Sequence, residues 1–290
     1  MSEIKVILDT DADNEIDDQY AIAYLMKSNK VKILGINAVP YYNHKVSSAE
    51  EGMVKSYDEI RKIISLCDTN EVPLILEGSK KFLSNENEYV PSPACDFIIQ
   101  EALKCTESNP LYVLAIGALT NIASAIIKNP AISKLMHVIF LGGTALHMQG
   151  LASEFNMRED VLAGSVVFKN VDKLTVLPCT GVVSSLTTSE PELRYWLDGK
   201  NKLCNYLIEH TIEEANTYAK GKPWTRVIWD VSVIWHILNP DEALQFTKKV
   251  ERFYPVDDLN YEFCDGTPIN YVYQIDRDRI FNELFAVLAK

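Results

Sequence analysis

Six short apolar runs, each separated from the next by polar or helix-patterned sequence, limit the folds open to this chain more than any other feature. They are KVILD (5 to 9), VKILGINAV (31 to 39), VPLILEG (72 to 78), LYVLAIG (111 to 117), HVIFLGG (137 to 143) and KLTVLP (173 to 178). Each is apolar on both faces of a strand, the pattern of a sheet covered on both sides. Between them, apolar residues return every three or four positions, as at Met53, Tyr57, Ile60 and Ile64, which is the spacing of a buried helical face. Strand and helix in alternation predict an α/β protein with a mainly parallel central sheet and helices on both faces. Residues 189 to 238 read as mostly helical. VERFYPV and INYVYQI near the C-terminus read as an antiparallel pair at the edge of the sheet, followed by a closing helix from Arg279 to Leu288. No Pro/Gly-rich linker, repeat or low-complexity tract divides the 290 residues, so residues 1–290 are expected to form a single domain. Sheets of this kind bind ligands beyond the carboxyl ends of their strands, at a topological switch point.

The loop leaving the first strand, DTDADNEIDD, holds six carboxylates at 9, 11, 13, 15, 17 and 18, with no Lys or Arg between Lys5 and Lys27. Like charges at this density repel. One or two acids in the first turn of a helix are explained by capping and the helix dipole; six are not. Converging oxygens of this kind suit a hard divalent cation. The formal net charge of -12 argues against a nucleic-acid or anionic-membrane surface. No apolar run is long enough to span a bilayer. Six cysteines without a CxxC pair, and a start at MSEIKVILDT that runs straight into the first strand, lead to the expectation of a reduced, cytoplasmic protein. Ser184 and Ser185 lack nucleophile-elbow glycines, and the five histidines form no metal or triad pattern.

Competing motifs account for the acidic loop less well. An EF-hand counted from Asp9 would need glycine where Asn14 stands and glutamate where Tyr20 stands, between two helices. A haloacid-dehalogenase-type phosphatase also starts with a strand and DxD, but leaves Asp17 and Asp18 unexplained. The pattern DTDxxxxxDD after a first strand instead resembles the inosine-uridine nucleoside hydrolase family. AIGALTNIA (115 to 123), SEFN (153 to 156), Asp230 in VIWDVSV and the terminal DRDRIF follow in the family's order and extend the resemblance over most of the chain.

The resemblance implies a hydrolase that cleaves the N-glycosidic bond of ribonucleosides at a single Ca2+ site, through an oxocarbenium-like transition state with inversion. It implies Asp11 as ligand and general base, Asp18 and Asp230 as further ligands, and the backbone carbonyl of Ile116 as another. Asp17, Asn43, Glu154 and Asn156 would meet ribose. In an extended segment, Glu154 and Asn156 would point to one side and Phe155 to the other. Trp229, immediately before Asp230, stands where some members carry a histidine that protonates the leaving base. A Trp-Asp pair resembles the purine-preferring branch, in which tryptophan stacks on the base, with Tyr41, Tyr42, Phe82 or Trp224 as candidates for the second face. The family also implies a homodimer or homotetramer.

Local readings stay open beside these. Asp17, Asp18 and Asp230 also suit helix caps, Thr120 and Asn121 suit caps better than substrate contacts, and Trp229 suits a core position. Asp13 replaces a common glycine, and one ribose-contacting asparagine before SEFN has no counterpart. The alternative functions are a nucleoside- or ribose-binding protein without efficient turnover, and a metal-dependent phosphatase.

Overall fold

The structure is a computed structural model, and it describes residues 3–69, 71–148 and 154–290. Twelve strands are described: β1 Lys5–Thr10, β2 Lys32–Ala38, β3 Leu74–Leu76, β4 Leu111–Ala115, β5 Met136–Leu141, β6 Lys173–Leu177, β7 Thr187–Thr188, β8 Arg226–Val227, β9 Thr247–Val250, β10 Phe253–Pro255, β11 Tyr261–Phe263 and β12 Ile269–Val272. Eleven helices accompany them: α1 Asp17–Lys27, α2 Ala49–Leu66, α3 Pro93–Ala102, α4 Thr120–Lys128, α5 Phe155–Glu159, α6 Val161–Asn170, α7 Glu190–Leu197, α8 Lys202–Ala219, α9 Val231–Leu238, α10 Pro240–Ala243 and α11 Arg277–Leu288.

The main sheet runs β3-β2-β1-β4-β5-β6-β12-β9, parallel throughout except for the edge pair β12 and β9. Successive strand residues bury on opposite faces. Val6 and Leu8 join a core with Leu114 and Ile139 under α1, α2, α8, α9 and α11. Ile7 joins Val113, Val138 and Phe140 in a second core under α3, α4 and α6. This is the two-sided burial that the apolar runs predict.

The edge pair differs from expectation in its register. Val250 pairs with Ile269, so the antiparallel partner of INYV is Thr247–Val250, and most of VERFYPV lies beyond it. The chain leaves the sheet at Arg252, whose buried guanidinium donates to the carbonyls of Phe168, Val171 and Thr267. β10 then pairs with β11 in a separate two-stranded sheet. Among the described residues, no helix is long and apolar enough to cross a membrane.

β1 connects to β2 on one side and pairs with β4 on the other. The switch point of the sheet therefore lies at the carboxyl ends of β1 and β4, where the acidic loop and Ile116 begin. The ladder continues past the strands through Ile116 N–H to the Asp9 carbonyl (2.9 Å) and Val39 N–H to the Thr10 carbonyl (2.9 Å), which fixes the start of the loop.

Candidate active site

Two stretches of chain far apart in sequence deliver carboxylates to this point. Asp11 follows β1, Asp17 and Asp18 open α1, and Asp230 precedes α9; all four are buried. The capping alternative fails for Asp230, because its side chain makes no hydrogen bond to the start of α9. It fails for α1 as well, which has no side-chain cap. Asp18 instead accepts from the Thr10 hydroxyl, and Asp11 Oδ2 accepts from Asn14 Nδ2 at 3.0 Å. Gly117 lets the β4 loop close over Asp11, since a Cβ there would stand 2.7 Å from Asp11 Oδ1.

Potential ligand oxygens of Asp17, Asp18 and Asp230 lie within 4.8 Å of one another. Burial is the main cause that pushes the carboxyls of Asp11, Asp18 and Asp230 well above the usual range, and their neighbouring acids push in the same direction. Burial also brings Asp17 up to about 7, against the opposing pull of Arg226. Asp18 and Asp230 offer oxygens within 4.8 Å of each other, and two buried like charges at that range favour the uptake of protons. A hard dication replaces such protons, and an all-oxygen donor set is what calcium takes. The residues present fit the ion.

These acids line a cavity of about 220 Å³ together with Ile116, Glu154, Phe155, Asn156, Cys179, Thr180 and Trp229. Eight of the nine residues expected in the site, Asp11, Asp17, Asp18, Ile116, Glu154, Asn156, Trp229 and Asp230, are thus brought together. Asn43 is not. Its Nδ2 donates 2.7 Å to Asn14 Oδ1, so it supports the residue that holds Asp11 and does not face the cavity. The loop after β2 folds onto the acidic loop instead of over the substrate space.

Glu154 and Asn156 reach the cavity by a different geometry from an extended segment. Glu154 is the N-cap of α5 and accepts from the backbone N–H groups of Gly143 (2.6 Å), Asn156 (2.9 Å) and Met157 (3.0 Å). Asn156 lies inside the helix and donates to the carbonyls of Leu141 (3.0 Å) and Ile116 (3.2 Å). Because the chain has turned helical, the strand parity that would send Phe155 away does not apply, and Phe155 lines the cavity with Trp229. None of Tyr41, Tyr42, Phe82 and Trp224 does so. Tyr41 is buried and donates to Asp13 Oδ2 at 2.7 Å. Ser153 of SEFN lies outside the described residues.

Thr120 and Asn121 do not cap α4. Thr120 donates to Asp160 Oδ2, and Asn121 ties Ser79 to Ala38. Arg226 is the residue beside the acidic loop least visible in the sequence. Its Nη2 lies 2.6 Å from Glu15 Oε2, 3.3 Å from Asp17 Oδ1 and 3.7 Å from Glu214 Oε2. A lone arginine in the apolar stretch before Trp229 and Asp230, in a chain whose acidic loop lacks a local cation, was the available signal.

Fold and site together define an α/β protein with a cation-fitted polyacidic pocket at the switch point of its sheet. The chain belongs to the family described as inosine-uridine preferring nucleoside hydrolase, whose profile matches residues 6–281. It is 27% identical over 219 residues to uridine nucleosidase 1 of Arabidopsis thaliana, covering 65% of this chain and 60% of that protein. It is 31% identical over 199 residues to probable uridine nucleosidase 2 of Oryza sativa subsp. japonica, covering 58% and 54%. These matches thus span somewhat over half the length of those plant relatives. In fold it resembles the purine-preferring ribonucleoside hydrolase from Gardnerella vaginalis, with a TM-score of 0.77, 20% identity and 98% of each chain covered.

Proposed function

We propose that the protein is a calcium-dependent nucleoside hydrolase that converts ribonucleosides and water to free base and ribose, with purine nucleosides favoured. The observation that carries this reading is the convergence of four buried carboxylates, three from the acidic loop and one from before α9, on a cavity also lined by Phe155 and Trp229. Asp11, Asp18, Asp230 and the Ile116 carbonyl would hold the ion. When bound, calcium would supply Lewis acidity toward water and the sugar hydroxyls.

The chain's own groups then divide the work. Asp11, held through Oδ2 by Asn14, takes the proton of the attacking water at its other oxygen. Water forms the new bond to C1' as the bond to the base nitrogen breaks, and attack opposite the base inverts the anomeric centre. Asp17, Glu154 and Asn156 fix the sugar; Glu154 is clamped by three amides and is already oriented before a hydroxyl arrives. Trp229 and Phe155 supply apolar faces for the base. A purine offers the larger stacking area, and stacking that raises its basicity would let solvent protonate it as it leaves, in place of a histidine.

The family membership supports nucleoside hydrolysis, and Trp229 on the cavity wall supports the purine preference. The plant relatives are named uridine nucleosidases, so the two preferences must be compared directly. Free ribose should be assayed across inosine, adenosine, guanosine, uridine and cytidine, with calcium and with chelator. Release from purines in calcium alone is the expected result. Nucleoside binding without ribose release would make the chain a binding protein.

A further inference from the structure

Asp17 is claimed from two sides. Its carboxylate is close enough to those of Asp18 and Asp230 to serve as a ligand of the same ion, yet its Oδ1 accepts from Arg226 Nη2 at 3.3 Å. We propose that Arg226 is a positioning residue that reserves Asp17 for the sugar, holding one carboxylate oxygen so that the other faces a ribose hydroxyl and not the ion. This rests on the reading of Asp17 as a ribose contact.

The arginine is itself held in place. Its side chain is 12% exposed, with Glu15 and Glu214 completing the group of acids around Nη2. Its backbone is fixed by pairing with Thr188 and by the bond from Ile228 N–H to the Leu186 carbonyl at 2.9 Å. The same segment continues to Trp229 and Asp230, so Arg226 links the acid proposed to read the sugar to the stretch of chain carrying the proposed base contact and a candidate ligand. A guanidinium keeps its charge throughout the working pH range and binds carboxylates with defined geometry. Bonding to it makes Asp17 a weaker competitor for the cation than Asp18, whose donor is the neutral Thr10 hydroxyl. Arg252 shows what a scaffold arginine looks like in this protein: its guanidinium contacts are backbone carbonyls. Those of Arg226 are carboxylates, and its buried Nε has no hydrogen-bond partner among the described residues.

The test uses the full calcium-loaded chain and the variants Arg226→Gln, Arg226→Lys, Asp17→Asn and the double variant Asp17→Asn/Arg226→Gln. Values of kcat and KM are measured for one good ribonucleoside and for its 2'-deoxy and 3'-deoxy analogues, and calcium affinity is measured by calorimetry. Arg226→Gln should lower kcat/KM for the ribonucleoside about tenfold or more, the scale of one charge-assisted hydrogen bond, chiefly through KM. It should leave one deoxy analogue nearly unaffected, namely the one whose missing hydroxyl Asp17 reads. The ribo-to-deoxy ratio should fall toward that of Asp17→Asn, the double variant should be no worse than Asp17→Asn, and Arg226→Lys should recover part of the loss. Calcium affinity should not weaken.

Equal losses on all three substrates, or a loss of calcium affinity, would make Arg226 part of the scaffold and overturn the proposal. If Arg226→Gln does not fold, Arg226→Lys decides, and an unchanged ratio in that variant overturns it. An altered ratio in Asp17→Asn with none in Arg226→Gln would sink the role of Arg226 while keeping that of Asp17. Native protein inactive on every nucleoside would overturn both this inference and the hydrolase reading.

Discussion

Calcium binding and proton binding should compete at the acidic cluster, and the competition should appear as a pH-dependent gain in thermal stability. Burial raises the Asp17 carboxyl from its ordinary 3.8 to about 7 in the metal-free fold. The folded state then binds this proton more tightly than the unfolded chain does. The resulting stabilisation is fully present below about pH 4 and is lost as pH rises to 7. At 1.36 kcal/mol per pH unit, Asp17 alone accounts for about 4 kcal/mol. With an unfolding entropy of about 2 cal/mol/K per residue, that corresponds to about 7 °C in a chain of this length. Burial raises Asp11, Asp18 and Asp230 in the same direction, so they add to the loss as pH rises. A dication held by Asp11, Asp18 and Asp230 would replace their protons and by its charge expel that of the neighbouring Asp17, so calcium should stabilise the protein more at pH 8 than at pH 5.

The metal-free curve by itself would mislead. Burial lowers His137 to about 3 and His236 to about 4, and their contribution has the opposite sign, gained as pH rises toward 6.5. Both histidines lie outside the cavity, so their effect is common to the calcium and chelator forms and cancels in the difference between them. The assay is therefore Tm in calcium minus Tm in chelator, at half-unit steps from pH 5 to 8, repeated for Asp230→Asn. The difference should grow by several degrees across the range, and the variant should flatten it. A calcium shift of constant size, or one that shrinks with pH, would refute the claim that buried acids at this point exchange protons for the ion.

Three further outcomes are expected. Asp11→Asn should keep the fold by circular dichroism but lose turnover by about two orders of magnitude or more, as removal of a general base and ligand requires; a near-native kcat would exclude Asp11 from both roles. The 2'-deoxy and 3'-deoxynucleosides should be poor substrates, because buried acceptors at Asp17 and Glu154 would be left unpaired; equal kcat/KM values for ribo and deoxy forms would contradict the sugar assignment. Trp229→Ala should depress purine turnover far more than calcium affinity, and Phe155→Ala should act in the same direction; native preference for uridine would return Trp229 to a packing role.

What the sequence made legible follows from how each residue is placed. Strands apolar on both faces announced the parallel sheet, and the acids of the first loop announced the site, because each signal is contained in a single segment. Phe155 escapes strand parity because residues 154–156 begin a helix. Asn43 follows a strand end but is drawn onto Asn14, a pairing between loops that no periodicity records. β8 consists of two residues and exists through its pairing with β7, so no local pattern marks Arg226 as an element facing the acidic loop. Thr120 and Asn121 looked like caps for the same reason: their partners, Asp160, Ser79 and Ala38, are distant in sequence.

The acidic loop therefore has an answer in two parts to its excess of charge. Arg226 neutralises the outer side, where Glu15, Glu214 and one oxygen of Asp17 meet a single guanidinium. No Lys or Arg lies within ion-pair reach of Asp11, Asp18 or Asp230 among the described residues, so their charge is left to protons or to an ion. A second buried arginine on the inner side would stabilise the metal-free fold, but it would also occupy the coordination space and block the substrate. The fold leaves its innermost acids without a side-chain cation, and that local instability is what a cation site and a general base both require.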